Sequence, residues 1–321
     1  MKHLLAISDL SVGEFNRYLA TAKKLKAEWR KGGNKPILAH KTLGMIFQKP
    51  SLRTRVSFDM AMLHLGGHAL YLSPDEIGLG KRESVADVAR VLSRYVDGIF
   101  ARVFAHAHVV ELAQNSRVPV INGLSDWEHP CQALADAFTI VECFGRMQGL
   151  KVAFFGDGNN VARSLMFACA LGGAEFVCAS PRGYELDGKS VEHARFLGGT
   201  VTITDDPMAA ARDADVLYTD VWASMGQEQE AAERARLFPP FQINTALVAL
   251  AKPKAVVMHC LPAHRGMEII DEVMDGPHSV VFDQAENRMH AQKGILGELL
   301  ADRSKGKRTS TMAPVGKKAR K

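Results

Sequence analysis

The feature that most constrains the fold of this chain is the regular alternation of short apolar runs with longer helical patterns. In the first half, the apolar runs lie at 43–47, 68–72, 98–103 and 118–123, with helical patterns between them at 53–65, 84–95 and 108–115. Each apolar run has the length of one strand, and strands that alternate with helices pair in parallel. The first half therefore predicts a parallel sheet covered by helices.

The second half repeats this alternation. A long helical pattern at 129–145 precedes apolar runs at 151–157, 174–180, 200–204, 215–220, 255–261 and 279–285, and a final helix is expected over 284–302. We therefore predict an α/β fold with two doubly wound parallel-sheet domains joined by interdomain helices. The first domain is expected at 1–148, with the helix 286–302 packing back on it, and the second at 149–285.

Composition and charge argue against several classes of protein. The 321 residues are 47% hydrophobic, which is enough for two cores. No apolar run reaches the length of about 18 residues that spans a membrane, and the N-terminus lacks the pattern of a signal peptide. Five cysteines without C-x-x-C spacing argue against a disulfide framework or a structural zinc site, so we expect a cytoplasmic protein.

The positive net charge belongs to one segment. The formal charge is +5, but residues 303–321 hold eight Lys and Arg and no acid, so the rest of the chain carries −3. Such a segment is expected to be a disordered basic tail. A basic tail alone is weak evidence for nucleic-acid binding, and we do not expect a nucleic acid or a membrane among the partners.

Polar clusters follow many of the predicted strands, at the edge where open α/β sheets bind ligands. These clusters lie at 51–55, 102, 129–132, 159–160, 220–226, 259–265 and 286–288. In the first of them, Ser51 is expected to cap a helix that runs to Gly66. A helix start that carries Arg53, Arg55 and two hydroxyls suits a phosphate group. An N-cap followed by solvated arginines also explains this segment.

The glycine-rich segment after the strand at 151–157 approaches a dinucleotide-binding pattern but does not complete it. Val161 stands where the third glycine of G-x-G-x-x-G belongs, and the next strand ends without an acid for a ribose. We therefore do not expect a nicotinamide cofactor. Asn160, at the end of this strand, is better placed to hydrogen-bond a small polar ligand.

The segment 129–132 opens a helix, because proline suits the first helical position and Pro130 stands there. His129 and Gln132 then share one helix face, where they are expected to act as donors to a carbonyl or a phosphate. A metal site built from His129, Cys131 and the pair His259–Cys260 lacks the usual ligand spacing, so no metal is expected.

Two further clusters leave alternatives open. Asp220 and Ser224 follow a strand, and a carboxylate with a hydroxyl suits an ammonium group, although a loop with a capping serine has the same pattern. Cys260 also follows a strand. Three interpretations of it remain, as a nucleophile, a weak polar contact or a small buried residue.

Together these segments resemble the transcarbamylases, most closely the ornithine carbamoyltransferase branch of the aspartate/ornithine transcarbamylase superfamily. The matching segments, in family order, are SLRTR at 51–55, HPCQ at 129–132, DVWASMG at 220–226, HCLPAHRG at 259–266 and FDQAENRMHAQKGIL at 282–296. Each motif is weak alone, but the ordered set is specific, and the resemblance covers roughly residues 3–302.

The resemblance implies a role for each matching residue. The phosphate of carbamoyl phosphate would be held by Ser51, Leu52 through its backbone, Arg53, Thr54 and Arg102. The carbamoyl group would be surrounded by Thr54, Arg102, His129, Gln132 and Arg288. The amino-acid end of ornithine would be held by Asn160, Asp220, Ser224 and the backbone of Met225. Cys260 and the carbonyl of Leu261 would lie near the reacting atoms, and the catalytic group would comprise Arg102, His129, Asp220 and Cys260.

The implied activity is transfer of the carbamoyl group of carbamoyl phosphate to the δ-amine of L-ornithine, which yields citrulline and phosphate in arginine biosynthesis. This chemistry implies no metal and no redox cofactor. The family is a homotrimer in which the loop 78–82 of a neighbour completes the site. Leu52 departs from the threonine of many ornithine enzymes, but the contact expected there is a backbone N–H.

Two alternatives remain at this point. One is a transcarbamylase for another amine, such as N-acetylornithine or putrescine, although the intact S-M-G motif favours free ornithine. The other is a non-catalytic or nucleic-acid-binding protein that uses the basic tail.

Overall fold

Two parallel sheets organise the residues that the computed structural model describes, 2–223 and 228–301. The first sheet contains β1 (Thr42–Phe47), β2 (His68–Leu72), β3 (Gly98–Arg102) and β4 (Val120–Leu124), in the order β2-β1-β3-β4. The second contains β5 (Lys151–Phe155), β6 (Glu175–Ala179), β7 (Thr200–Thr204), β8 (Val216–Thr219) and β9 (Val256–His259), in the order β7-β6-β5-β8-β9. Every paired strand runs parallel, so the predicted fold is confirmed.

Helices connect these strands. In the first half they are α1 (Val12–Trp29), α2 (Leu52–His64), α3 (Pro74–Ile77), α4 (Val85–Leu92), α5 (His106–Asn115) and α6 (Pro130–Phe144). In the second half they are α7 (Asn160–Gly172), α8 (Gly188–Phe196), α9 (Pro207–Ala211), α10 (Ala231–Leu237), α11 (Thr245–Val248), α12 (Asp271–Met274) and α13 (Val281–Leu300), with short 3-10 turns at Glu228–Glu230 and Pro239–Phe241. The sequence analysis did not identify α1, which begins at a capping box of Ser11 and Glu14.

The prediction of a strand at 279–285 is wrong, because this run forms the start of α13. Ser279 makes only an isolated bridge to Val257, and the helix begins at Val281. A short apolar run does not distinguish a buried strand from the first turn of a buried helix by its periodicity. The helical arrangement points Gln284 and Arg288 inward, and both are buried.

Helix α13 ties the two halves together. It packs against α1, α2 and α6 of the first half and also against β9 of the second, while α6 packs against α7. One apolar core cluster accordingly contains residues from both halves, such as Phe138 and Phe154. Within the described part of the chain, no helix has the length and apolar character needed to cross a membrane.

The strand order of each sheet reverses at one point, and these two points position the site. In the first sheet, β1 lies between β2 and β3, and Phe47 pairs with Arg102 at the carboxyl ends of β1 and β3. In the second sheet, the reversal lies between β5 and β8, where Phe155 pairs with Thr219. Loops that leave the carboxyl ends of adjacent strands in opposite directions open a crevice between them, which is where such sheets bind ligands.

Candidate functional site

A cavity of about 1280 Å³ lies where these strand ends meet. Twelve of the fourteen residues proposed from the sequence line it: Ser51, Leu52, Arg53, Thr54, Arg102, His129, Gln132, Asn160, Asp220, Cys260, Leu261 and Arg288. The remaining two, Ser224 and Met225, lie outside the described residues. The structure thus brings together residues that are separated by more than half the chain length in the sequence.

The start of α2 forms one wall of this cavity. Ser51 occupies the N-cap position but does not cap the helix through its side chain; its hydroxyl donates instead to Thr54 Oγ1 at 3.0 Å. The side chain of Leu52 is 76% exposed, so only its backbone is suited to a ligand at the helix start. The first-turn N–H groups of a helix have no intrahelical partner. Without a side-chain cap, they remain available to an anion.

Buried nitrogen atoms without partners surround the centre of the cavity. Among the described residues, Arg102 Nε, Arg288 Nε and His129 Nδ1 are buried and make no hydrogen bond. Burial, with smaller contributions from the charges of Arg288 and Arg53, lowers the pKa of Arg102 to about 10, which still leaves it charged at neutral pH. Buried polar groups in native proteins are nearly always paired, so these nitrogen atoms, on residues that line the cavity, suit hydrogen bonds to a bound molecule.

His129 is neutral in this setting. Burial, and then the charges of Arg288 and Arg102, lower the pKa of His129 well below its ordinary value. A neutral imidazole offers one N–H donor and one acceptor. The ring can therefore donate a hydrogen bond to a carbonyl oxygen without adding a third positive charge.

Gln132 differs from its sequence-based interpretation as a donor. Its NH₂ group donates to Asp136 Oδ1 at 2.7 Å, and its oxygen accepts a hydrogen bond from Arg288 Nη1. Arg288 Nη2 also lies 3.3 Å from Thr54 Oγ1, so this arginine connects α13 to the start of α2. Arg288 lines the cavity whereas Asp136 does not, so the oxygen of Gln132 lies on the side of the cavity.

A carboxylate lies across the cavity, at the end of β8. Asp220 is 7% exposed and accepts hydrogen bonds from Asn159 Nδ2 at 2.9 Å, from the Val221 N–H at 2.8 Å and from Cys260 Sγ at 3.0 Å. None of these donors is a cation. Asn160 points elsewhere in this structure and donates to the Ser125 carbonyl oxygen at 2.6 Å. Asp220 is therefore arranged to receive a positively charged ligand group.

Cys260 is a protonated thiol in this structure. Burial, and then the charge and hydrogen bond of Asp220, raise the pKa of Cys260 well above its ordinary value. A thiolate is the nucleophilic form of cysteine. The geometry thus favours a polar contact to Asp220 among the interpretations left open by the sequence.

Asp220, His259 and Cys260 are close enough to hold a metal ion, with ligand atoms within 4.8 Å of one another. The donor set does not suit one. Both ring nitrogens of His259 are engaged, one with Glu268 Oε1 at 3.1 Å and the other as acceptor from the Leu261 N–H at 2.9 Å. Cys260 would also have to lose a proton whose pKa is raised. These residues therefore fit a hydrogen-bonding role better than a metal site.

The loop after β9 has an unusual backbone. Leu261 adopts φ of 58°, a left-handed conformation that is uncommon for a leucine. Strained residues of this kind cluster at functional sites. The bond from the Leu261 N–H to His259 holds the backbone in this conformation beside Cys260.

The sequence analysis placed Asn159 in a polar cluster without giving it a role, and it missed Arg234. Asn159 both caps α7, through bonds to the N–H groups of residues 161 and 162, and donates to Asp220. Arg234 is buried, bonds Asp157 Oδ2 at 2.7 Å and the Trp222 carbonyl at 2.7 Å, and thereby fixes the chain on both sides of 224–227. An asparagine just before a predicted helix was a usable signal for a cap, whereas nothing local identified Arg234.

Comparisons with known proteins agree with this geometry. Family models described as "Aspartate/ornithine carbamoyltransferase, carbamoyl-P binding domain" and "Aspartate/ornithine carbamoyltransferase, Asp/Orn binding domain" match residues 2–142 and 148–299. An ornithine carbamoyltransferase from Pyrococcus abyssi is 57% identical over 305 residues, which cover 93% of this chain and 96% of the relative. One from Methanosarcina acetivorans is 53% identical over 299 residues, which cover 93% of this chain and 99% of the relative.

A solved structure is similar over the same span. The ornithine carbamoyltransferase from Pyrococcus furiosus superposes with a TM-score of 0.90 at 55% identity, covering 93% of this chain and 97% of that one. The two family models together span nearly the whole chain, and several relatives are more than half identical to it. Both comparisons assign the chain to the same family. This chain belongs to the aspartate/ornithine carbamoyltransferase family.

Proposed function

We propose that this protein is an ornithine carbamoyltransferase, which transfers the carbamoyl group of carbamoyl phosphate to the δ-amine of L-ornithine and releases L-citrulline and phosphate. One observation carries the proposal: an uncapped helix start with buried arginines faces a buried carboxylate across a single cavity. A relative from Pyrococcus furiosus, 57% identical over 301 residues, is named an anabolic enzyme, which supports the biosynthetic direction.

Carbamoyl phosphate binds at the start of α2. Its phosphate is held by the first-turn N–H groups, by the hydroxyls of Ser51 and Thr54, and by the guanidinium groups of Arg53 and Arg102. Burial, and then the charges of Arg288 and Arg53, lower the pKa of Arg102, and three guanidinium groups this close together suit a bound anion, which supports this assignment. Hydrogen bonds between arginine and phosphate are among the stronger ones in proteins.

The carbamoyl group lies deeper in the cavity, among Arg102, His129, Gln132 and Arg288. Attack by an amine turns its carbonyl oxygen into an oxyanion. Donors that are already in place for that charge lower the barrier without reorganisation. The neutral ring of His129 and the unpartnered Nε atoms of the two arginines are candidates for these donors.

Ornithine binds opposite, with its α-ammonium group against Asp220 and, from the family motif, Ser224. Asn160 is proposed for the amino-acid end, which requires that it exchange its bond to Ser125 for one to the ligand. The attacking amine must be neutral, and an alkylamine with a pKa near 10 is free base in only about one molecule per thousand at pH 7. The raised pKa of Cys260 keeps it a thiol, and Asp220 is engaged by the α-ammonium group, so the phosphate of carbamoyl phosphate is the acceptor for the proton that the amine loses.

Positioning contributes much of the catalysis. The amine nitrogen attacks the carbonyl carbon, a tetrahedral intermediate forms, and its C–O bond to phosphate breaks. Holding two small substrates in one water-poor cavity converts this into an effectively unimolecular step.

We also propose a division of labour between the halves of the chain. Residues 1–148, with helix 286–302 packed on them, would form the carbamoyl-phosphate domain, and 149–285 the ornithine domain. The matched ranges of the two family models support this division. The segment 303–321 falls outside the described residues and has no role in the proposed reaction.

A homotrimer in the cytoplasm is proposed as the working form. The loop 78–82 would reach the site of a neighbouring subunit. In support, Lys81 and Arg82 are exposed, and Gln48 Nε2 anchors the loop by donating to the Leu79 carbonyl oxygen at 3.2 Å. All five cysteines are free thiols, which suits a reducing compartment.

Citrulline formation by the purified protein tests the proposal. With saturating carbamoyl phosphate, ornithine should give a kcat/KM at least about tenfold above those of N-acetylornithine and putrescine. The acetyl amide would leave Asp220 without its ammonium partner, and putrescine has no α-carboxylate end to bind. Equal turnover of ornithine and N-acetylornithine would refute the assignment, and activity that survives deletion of 304–321 would argue against the tail-based alternative.

A further inference from the structure

A buried polar network behind the cavity connects Gln132 to both sheets. Asp136 lies one turn after Gln132 on α6 and is fully buried. Its Oδ1 accepts hydrogen bonds from Gln132 Nε2 and from Gln284 Nε2, each at 2.7 Å, and its Oδ2 accepts one from the Tyr218 hydroxyl at 3.0 Å. Helix α6, strand β8 and helix α13 thus meet at one carboxylate.

This network determines which atom Gln132 presents. On one side the Asp136 carboxylate only accepts, and on the other side the Arg288 guanidinium only donates. Rotating the amide by half a turn would place its oxygen against the carboxylate and its NH₂ against the guanidinium. Both contacts would then be repulsive, so the orientation of the amide is set from both sides.

Gln284 is held in the same manner and reinforces the arrangement. Its oxygen accepts from the backbone N–H of His259 at 2.9 Å, while its NH₂ donates to Asp136 and lies 3.2 Å from the Tyr218 hydroxyl. Each polar group that faces Asp136 is therefore a donor. A neutral side chain at this position would not impose the same pattern, because an amide can both donate and accept.

The free lone pair of Gln132 has a consequence for the ligand. A carbonyl oxygen accepts two hydrogen bonds, and Arg288 occupies one of these positions. Because Gln132 lines the cavity, the second position is open to a donor on a bound molecule. The NH₂ of a carbamoyl group supplies such a donor, and the methyl group of an acetyl phosphate does not.

We propose that Asp136 is a positioning residue that holds the oxygen of Gln132 toward the cavity, so that the site selects an acyl phosphate that bears an NH₂ group over one that bears a methyl group. Asp136 is not among the residues that line the cavity, so it acts through Gln132. The proposal rests on the proposed function for the identity of the ligand, but its selectivity can be measured by binding alone.

The test compares dissociation constants for carbamoyl phosphate, acetyl phosphate and inorganic phosphate, measured by calorimetry on the full chain. In Asp136→Asn, the new side chain can donate to Gln132 as well as accept from it, so only Arg288 still favours one orientation of the amide. We expect binding of carbamoyl phosphate to weaken by about 10-fold to 100-fold, the usual effect of leaving a buried polar group unpaired. Acetyl phosphate and inorganic phosphate should change by less than about threefold.

Three further variants separate positioning from general damage. Gln132→Met should lose the same discrimination, and adding Asp136→Asn to it should cause no further loss, because two residues that act in one contact are not additive. Thr139→Val serves as the matched control, since Thr139 is also buried on α6 but bonds the Ala135 carbonyl and Asn287. It should keep full discrimination.

The proposal is overturned if Asp136→Asn weakens all three ligands equally, if it retains the preference for carbamoyl phosphate, or if Gln132→Met retains that preference. The last outcome decides the matter even if Asp136→Asn does not fold. A protein that shows this selectivity but forms no citrulline from ornithine would contradict the proposed function and leave the role of Asp136 intact.

Discussion

The substitution Asp220→Asn removes one negative charge from the cavity without changing the size of the side chain. Of the three donors around the carboxylate, the Val221 N–H and the Cys260 thiol can still bond the remaining oxygen. Asn159 presents its NH₂ to the other position, where the new side chain has an NH₂ of its own. Asn159 cannot rotate without cost, because its oxygen caps α7.

The expected effect on ornithine follows from the lost charge. A hydrogen bond to a charged group contributes about 1.5–3 kcal/mol, and about 1.4 kcal/mol corresponds to a factor of ten. The kcat/KM for ornithine should therefore fall by about 10-fold to 150-fold. The two facing NH₂ groups, of Asn159 and of the new asparagine at position 220, are present in both the free and the liganded protein. They should therefore lower the free energy of unfolding more than they alter kcat/KM.

The assay is citrulline formation with ornithine varied at saturating carbamoyl phosphate. The control is Asp215→Asn, because Asp215 has the same 7% exposure but lies before β8, at the opposite end, where it accepts from the Lys151 N–H at 2.9 Å and Lys252 Nζ at 2.8 Å. This control should lose stability but keep its kcat/KM for ornithine. The reasoning is refuted if Asp220→Asn keeps that kcat/KM within about threefold, or if its affinity for carbamoyl phosphate falls equally.

Three other outcomes are expected. Arg53→Ala should abolish measurable turnover and weaken inhibition by inorganic phosphate. The control Arg55→Ala should keep normal turnover and normal phosphate inhibition, because the Arg55 guanidinium lies 4.0 Å from the Tyr71 ring centroid. Near-normal affinity of Arg53→Ala for carbamoyl phosphate would show that Arg53 is not part of the site. Binding should be ordered, with carbamoyl phosphate first, because domain closure completes the amine site; calorimetry that detects tight ornithine binding without a phosphate ligand would contradict this. Burial raises the pKa of Asp136 to about 6, so the protonated form is favoured in the folded state, and this contribution to stability is present below about pH 4 and lost as the pH rises through 6. Between about pH 4 and a pH above 6, the free energy of unfolding of the unmodified protein, measured with urea, should therefore fall by about 3 kcal/mol relative to that of Asp136→Asn. If the difference in unfolding free energy between the two proteins stays constant over this range, the pKa of Asp136 is not raised.

The alternation of apolar runs and helical patterns was enough to predict both sheets. Parallel strands place their carboxyl ends at one edge, so polar residues that directly follow strands meet there whatever the rest of the chain does. This is why Asp220 and Cys260, which follow β8 and β9 of one sheet, could be grouped from the sequence, whereas their approach to Arg102 in the other sheet depends on how the two halves pack. Pro130 likewise marked the start of α6, because proline fits the first helical position.

Other features depend on packing between distant segments. The run at 279–285 was predicted as a strand, and only its placement between the two halves makes it the start of a helix. That Asn159, and not Asn160, donates to Asp220 depends on how the loop between β5 and α7 lies beside the end of β8, which no local pattern describes.

The hydrogen bonds around Asp136 show most clearly what the sequence could predict and what only the packing determined. The sequence placed Gln132 at the site but assigned it a donor role, because its neighbours in space were unknown. Gln284 approaches Asp136 across 148 positions of the chain, and Tyr218 across 82. An amide offers both a donor and an acceptor, and its surroundings determine which of them faces a ligand. The sequence alone therefore determined that Gln132 lies at the site, whereas the packing of α13 against α6 and β8 decided which of its atoms the site presents.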